Sequence, residues 1–480
     1  MQTFEQNLDC HNDKHQLFSS PNSELISTPM NTSPVCGKKV DLDFNGGSMT
    51  SDAGVLILSE IERNCGIIKS LSSCIDDTRR TYSIDHSTEE ILAQRVYQIS
   101  CGYEDANDSD SLRKDPAIKM AVGHLPIQGD DLASQPTISR LENRITDSEL
   151  EKMKDVFMDH FIASYDEEPE VIVLDFDDTH HVVHGHQQMA LFNSYYHETC
   201  YMPLHVYEGM SGNFITAILR PGKRSSGKET VGYLKSIVER IRTHWENTII
   251  VFRGDGHFSS PEVFDYIATQ ENMYSITGLT SNNKLLNQAQ TTINSAKKLY
   301  DHRQAKVKLY HSFYYQAGSW SHARRVVVKV EMSDYGLNVR FISTDMVYAK
   351  TKALYEMIYC GRGSMELRIK DHKTYTKSDR TSCHSFKANQ FRLFLHSAAY
   401  VLLHALRTQL LKGTELANAT LDTLRLKLLK IGARVVEMKT KIKIHLPTAY
   451  PLKRLLKKCL DILKYLYQSN SHPVSPVLLC

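Results

Sequence analysis

The chain is 480 residues long, 41% hydrophobic and 23% charged, with a formal net charge of +2, the profile of a folded protein large enough for two or three domains. No apolar run approaches the ~18 residues needed to cross a bilayer, and the first 39 residues lack the basic start and apolar stretch of a leader, so membrane and secreted classes are not expected. Ten cysteines without a Cys-x-x-Cys pair fit free thiols in a reduced cytosol rather than a disulfide scaffold or a zinc finger.

Residues 1–40 read as a polar arm rich in Asn, Ser and Pro. Residues 41–165 read as short helices: Ser51-Asp52 and His86-Ser87-Thr88-Glu89-Glu90 each place a polar cap and acidic residues before apolar spacing. Gln135-Pro136-Thr137 to Arg144 reads as a turn and a helix exposing polar and basic groups, a weak helix-turn-helix pattern. A surface helix of no special role fits that stretch at least as well, and DNA binding is an expectation for the helical region as a whole.

From residue 166 the pattern changes to α/β. Val171-Ile-Val-Leu-Asp175-Phe-Asp177-Asp178-Thr179 is a buried strand ending in acids. Strand-like stretches at 202–208 and 214–219 precede a helix from Lys228 to Thr243. A second apolar strand, Thr248–Phe252, runs into Arg253-Gly254-Asp255-Gly256, and Ser260-Pro261 opens a helix. Residues 271–344 are Tyr- and Asn-rich, with alternation in Arg324–Glu331 and Leu337–Ser343, and read as a mainly β insertion. The α/β core is therefore expected at 166–270 and 345–415. It includes a core helix, Phe391–Leu411, which Arg392, His396, His404 and Arg407 exclude from a membrane. Residues 416–480 form a basic C-terminal region with an amphipathic helix, Pro451–Tyr467, carrying Lys453, Arg454, Lys457 and Lys458.

The charge is unevenly spread. Residues 361–480 hold 22 Lys+Arg against 7 Asp+Glu, leaving 35 against 48 in the rest. A basic last quarter points to a polyanion at that end.

The most informative stretch is Tyr359-Cys-Gly-Arg362-Gly-Ser-Met-Glu366-Leu-Arg-Ile-Lys370-Asp-His-Lys373. Tyr359, Arg362, Glu366 and Lys373 return to within roughly 60° of one another on an ideal helix, with Gly361 and Gly363 placing the start of regular helix near Ser364. A carboxylate flanked by two cations and a phenol suits a phosphodiester and its metal ions. Asp175, Asp177 and Asp255 lie at strand ends, where α/β sheets collect their sites. Clustered carboxylates repel unless a cation sits among them, and hard oxygens select Mg²⁺ or Mn²⁺. Two such ions about 3.5–4 Å apart drive phosphodiester chemistry.

Asp177-x-Thr179, Arg253-Gly-Asp255-Gly-His-Phe and the Tyr359/Arg362/Glu366/Lys373 series resemble the three acidic motifs of bacterial insertion-sequence DDE transposases, the group-one family in particular. Further islands carry the resemblance: Gly102-Tyr103-Glu104-Asp105 with Asp115-Pro116, His184-Gly185-His-Gln187, Tyr201-Met-Pro203, Ser319-Trp320 and Lys430-Ile-Gly432-Ala-Arg434. Leu367 departs from the family, which has Asn there. The resemblance implies an RNase H-like core interrupted by the β insertion, with Asp177, Asp255 and Glu366 as catalytic metal ligands. Tyr359, Arg362, Lys370 and Lys373 would grip DNA phosphates, and Asp175 is a further candidate ligand. It implies Mg²⁺ or Mn²⁺, two ions per site, and double-stranded DNA as partner, both terminal inverted repeats and target. It further implies a homodimer on DNA and a cytoplasmic, nucleoid-associated bacterial protein.

Two rivals come from other classes. Asp175-Phe-Asp177-Asp-Thr179 also fits the nucleophile strand of haloacid-dehalogenase-like phosphatases, but Ser259 and Ser260 stand where that family needs an acid. A decayed or domesticated end-binding protein would keep binding without cleavage. His180, His181, His184 and His186 match no zinc pattern and read as loop histidines, and Trp320 reads as an aromatic plug.

Overall fold

The computed structural model describes residues 30–80, 82 and 84–470. Most of the polar arm, and residues 471–480, lie outside them. The described chain opens with an exposed hairpin, β1 (Met30–Val35) and β2 (Lys38–Leu42), followed by the short β3 (Met49–Thr50).

A layer of helices follows: α1 (Val55–Cys65), α2 (Ile67–Ser73), α3 (Thr88–Cys101), α4 (Pro116–Val122), α5 (Gln135–Arg144) and α6 (Asp147–Ala163). The sequence signals for α3 are met, because Ser87 and Glu90 form a reciprocal capping box. Ser51-Asp52 is not a cap. Gly54 precedes α1, and Asp52 is fully buried, accepting from the Tyr103 hydroxyl at 2.9 Å and pairing with Lys430 at 2.8 Å. Residues from both ends of the described chain meet there.

The central sheet begins with β4 (Val171–Asp178). The small strands β5 (His181–Val182), β6 (Leu191–Asn193) and β7 (Glu198–Tyr201) form a side sheet, after which β8 (Leu204–Glu208) and β9 (Phe214–Ile218) return antiparallel beside β4. Helix α7 (Gly227–Arg242) leads to β10 (Ile249–Gly254), α8 (Pro261–Ala268) to β11 (Met273–Leu279), and both strands run parallel to β4. Parallel neighbours need such crossovers to bring the chain back to the same end.

The segment expected to be a β insertion carries two helices as well, α9 (Asn283–Gln288) and α10 (Gln290–Arg303). Its strands β12 (Val307–Tyr315), β13 (Arg324–Ser333) and β14 (Gly336–Thr344) pair onto β11, so the full order is β12-β13-β14-β11-β10-β4-β8-β9. The helices were hidden because Gln, Thr, Asn and Ser give them little apolar periodicity. Trp320 is buried edge-on between Phe264 of α8 and Tyr315 of β12, at 5.3 and 5.6 Å between centroids, and so pins the insertion to the core.

A helical stretch spanning 351–375 covers one face of the sheet, against Val173, Val251 and Ile276. The opposite face, Ile172, Leu174 and Phe176, packs on α7 and α8. Then α11 (Phe386–Ala405), buried from Ala388 to its end, runs through the centre of the N-terminal helices and touches β9. The layer of helices thus shares a core with the β8–β9 edge of the sheet. Strands β15 (Ala433–Glu437) and β16 (Ile442–His445) pair with β3, and α12 (Lys453–Asn470) closes the chain. Among the described residues no helix is long and apolar enough to cross a membrane.

Histidines are stacked inside this core. His205 of β8 meets His372 at 3.1 Å, His372 meets Ser397 at 3.1 Å, and His396 Nδ1 lies 2.7 Å from the Thr376 carbonyl. Burial pushes His205, His396 and His404 down to about 3, and His181 and His372 well below the ordinary value. The unfolded chain therefore binds more protons than the folded one once pH falls below about 6.5. The stability that depends on these neutral histidines is full above that pH and declines progressively toward pH 3. Urea midpoints measured from pH 7.5 to 4 should fall steadily; an unchanged midpoint across that range would contradict the buried neutral cluster.

Candidate active site at the ends of the central strands

The register of β4 and β10 sets the site. Gly254 pairs with Phe176, so Asp255, the first residue beyond β10, emerges beside Asp177, which is still paired with His205 of β8. Asp255 caps a short 3₁₀ turn, Gly256–Phe258, its carboxylate accepting from the His257 amide at 2.9 Å. Asp177 is nearly buried. Burial pushes its carboxyl up to about 7 against the pull of Arg362, with Asp255 and Asp178 raising it further. The Arg362 guanidinium answers that crowding with a 2.8 Å ion pair to Asp177.

The third expected acid comes from the helix across the sheet. Regular helix, α-type, occupies Gly363–Lys370, close to the expected start, and Arg362 stands immediately before it. It is continuous, however, with a π turn at Leu354–Tyr359 and a 3₁₀ turn at Cys360–Arg362, and a second π turn follows at Asp371–Tyr375. Wide and tight turns change the angle per residue, so an ideal projection does not hold; such turns gather at functional sites. Tyr359 lies with its hydroxyl against Gly278 of β11, where a methyl group would sit 2.7 Å from it. Glu366 is exposed, and its charge acts on Arg362. Lys370 is exposed, 5.9 Å from the Tyr375 ring centre. Lys373 is partly buried and donates to the His180 carbonyl at 2.5 Å, at the exit of β4.

Asp175 does not stand free beside Asp177. Its two oxygens are taken by Arg253 Nε and Nη2 at 2.5 and 2.6 Å, with both side chains almost fully buried. Arg253 Nη1 donates to the Ile358 carbonyl at 2.6 Å, in the π turn before Arg362. Two glycines make room for this guanidinium: a methyl group on Gly209 or Gly361 would lie 2.5 or 2.6 Å from it.

Sequence reasoning missed Asp178. It sits on the other face of β4, paired to Arg220 at 2.6 Å, with His257 at 3.8 Å. Burial pushes it up to about 6; Arg220 lowers it and Asp255 raises it. The acid was legible in the sequence as one of those ending the strand, but no role was read for it, because its electrostatic coupling to Asp255 arises only in the folded chain.

The carboxylates are the right donors for a hard divalent cation, although among the described residues no three His, Cys, Asp or Glu side chains close around one point. His180 stacks on Tyr196, His181 is buried, and His184 and His186 line a cavity with Lys377 and Arg380. A cleft of about 530 Å³ leads from Gly256 and Tyr359 across the insertion, past Tyr355, Lys329 and Arg340. A second cationic hollow in the helical region is lined by Arg79, Arg113, Arg140 and Arg144 around α5.

Residues 32–468 match the family model described as Transposase DDE domain group 1. Among solved structures the chain is similar to one from the cryo-EM structure of piggyBac transposase synaptic complex with hairpin DNA. That likeness has 11% identity, covers 90% of this chain and 87% of that one, and has a TM-score of 0.43. No curated protein matches.

The Asp175–Arg253 pair should be a strong determinant of stability. Removing one partner leaves a buried charge uncompensated, so Arg253→Met or Asp175→Asn should each cost roughly 3–5 kcal/mol, while the apolar double variant Asp175→Leu/Arg253→Met should recover most of it. Urea unfolding of the three variants tests this; single losses under about 1 kcal/mol would contradict the reading.

Proposed function

We propose that this chain, which belongs to the transposase DDE domain group 1 family, is an insertion-sequence transposase that cuts and rejoins DNA at a site built from Asp177, Asp255 and Glu366. The observation that carries the reading is the convergence of the two strand-end acids with the Arg362–Asp177 ion pair. The order β9-β8-β4-β10-β11, three antiparallel strands followed by two parallel ones, supports an RNase H-like core. Insertion of β12–β14 and their two helices before the third acid supports the same architecture.

Without DNA, Arg362 neutralises Asp177. A phosphodiester entering the site competes for the same guanidinium, since Arg binds phosphate and carboxylate with one planar fork. Arg362 then moves its charge to the phosphate and frees Asp177. Exposed Glu366, one turn further on, turns toward the vacated space. Mg²⁺ held there would activate the attacking oxygen and stabilise the leaving one, first for water and then for the freed 3′-OH. Tyr359 and Lys373 hold the strand on either side of Arg362, with Lys370 further out. The helical region and basic C-terminal surfaces bind the terminal repeats, and two ends held together require at least a dimer on DNA.

The test is Mg²⁺-dependent cleavage of labelled DNA carrying the element's terminal repeat. Asp177→Asn, Asp255→Asn and Glu366→Gln should each lower nicking by at least about 100-fold while retaining repeat binding. Binding without cleavage by the wild type would instead assign a decayed end-binding protein, and cleavage that survives all three substitutions would remove the site.

A further inference from the structure

We propose that the hollow next to Lys373, between the loop after β5 and the loop after the second π turn, holds the phosphate backbone of a DNA strand, and that three histidines set its grip. The identity of the polyanion rests on the transposase reading above, to which the hollow adds a contact surface.

The hollow measures about 830 Å³ and is lined by His184 and His186 on one wall and by Lys377, Arg380 and His384 on the other. All five residues are exposed, whereas Ser378 and Thr381 of the same loop are buried and anchor it. Hydrogen bonds fasten the two walls together. Gln187 Nε2 donates to the Thr381 carbonyl at 3.1 Å, the Gln188 amide to the His384 carbonyl at 3.0 Å, and the Phe386 amide to Gln188 Oε1 at 3.3 Å. The walls continue the two segments that meet where Lys373 donates to the His180 carbonyl. His184 follows His180 by four residues, and Lys377 follows Lys373 by four. A strand held by Arg362 and Lys373 therefore has this hollow as its next surface.

The permanent charges around the hollow offset one another. Lys377, Arg380 and neighbouring Lys373 are met by Asp379, by Glu104, which pairs with Arg380 at 3.2 Å, and by Glu198, 3.5 Å from His180. Further out, Lys387 pairs with Asp147 and Arg392 with Glu142. The attraction of the hollow for a polyanion is therefore governed by His184, His186 and His384. A neutral imidazole donates one hydrogen bond to a phosphate oxygen, and a protonated one adds a full charge. Among the described residues no three His, Cys, Asp or Glu side chains close around one point, so these histidines suit an extended anion rather than a metal ion. Histidine changes charge between pH 5 and 8, so the hollow should hold DNA more tightly as pH falls.

Fluorescence anisotropy of a labelled terminal-repeat duplex with the full-length protein tests the proposal, read as the slope of log K against log salt at pH 8 and at pH 6. The wild-type slope should steepen by at least about 1 at the lower pH, since each added phosphate contact contributes about 0.9. The variant His184→Gln/His186→Gln/His384→Gln should lose most of that steepening. A wild-type slope that is equal at the two pH values, or a triple variant that steepens like the wild type, would overturn the hollow. Mg²⁺-dependent nicking at the repeat by the wild type would in either case leave the transposase reading standing. A wild type that binds no duplex at either pH would overturn both. If the triple variant does not fold, Lys377→Gln decides: its slope should be shallower by about 1 at both pH values, and an unchanged slope would overturn the hollow.

Discussion

The buried pair between Asp175 and Arg253 ties together the three segments that carry the candidate site. Asp175 belongs to β4, Arg253 to β10, and the third bond of the guanidinium reaches Ile358, four residues before Arg362. Each segment goes on within a few residues to deliver one group: Asp177, Asp255, and Arg362 with Glu366. A buried charge of this kind tolerates little displacement, because its low-dielectric surroundings make a lost hydrogen bond expensive. Gly209 and Gly361 are small for the same reason, since any side chain there would strike the guanidinium. The pair braces the candidate site, and it occupies both oxygens of Asp175.

Above the brace the electrostatics are left unresolved, which is what a site awaiting a ligand requires. Asp177 and Asp178 are both raised by burial and by their acidic neighbours, each held by one arginine. Burial of like charges is unfavourable for folding alone, and groups perturbed in this way concentrate at functional sites. The helix at 351–375 follows the same logic. Its two π turns let one helical segment reach Gly278 with Tyr359, Asp177 with Arg362 and His180 with Lys373. A straight α-helix would spread those contacts differently around its axis.

The apolar run of β4, that of β10, the Ser87–Glu90 cap and the buried character of the helix after Asn389 could all be read directly from residue spacing. Those signals are local, and hydrophobic periodicity or a cap needs no partner to be recognised. The polar helices at 283–303 escaped because their faces carry few apolar residues. Ser51-Asp52 was read as a helix start because the sequence does not show that Lys430 and Tyr103 converge on Asp52.

The sequence by itself determined which groups are present: strand-end carboxylates, the Tyr359–Lys373 series, and strands long enough to carry the acids to a common edge. Their chemical type follows from residue identity, and their place at strand ends follows from local pattern. Tertiary structure alone decided what each group touches. Asp175 went to Arg253, Asp177 to Arg362, and Asp178 to Arg220, a partition among three adjacent acids that depends on sheet register, strand alternation and arginines 42 to 185 positions away. Ion pairing is settled by distance and burial in the folded chain, and neither is encoded in the spacing of residues along it.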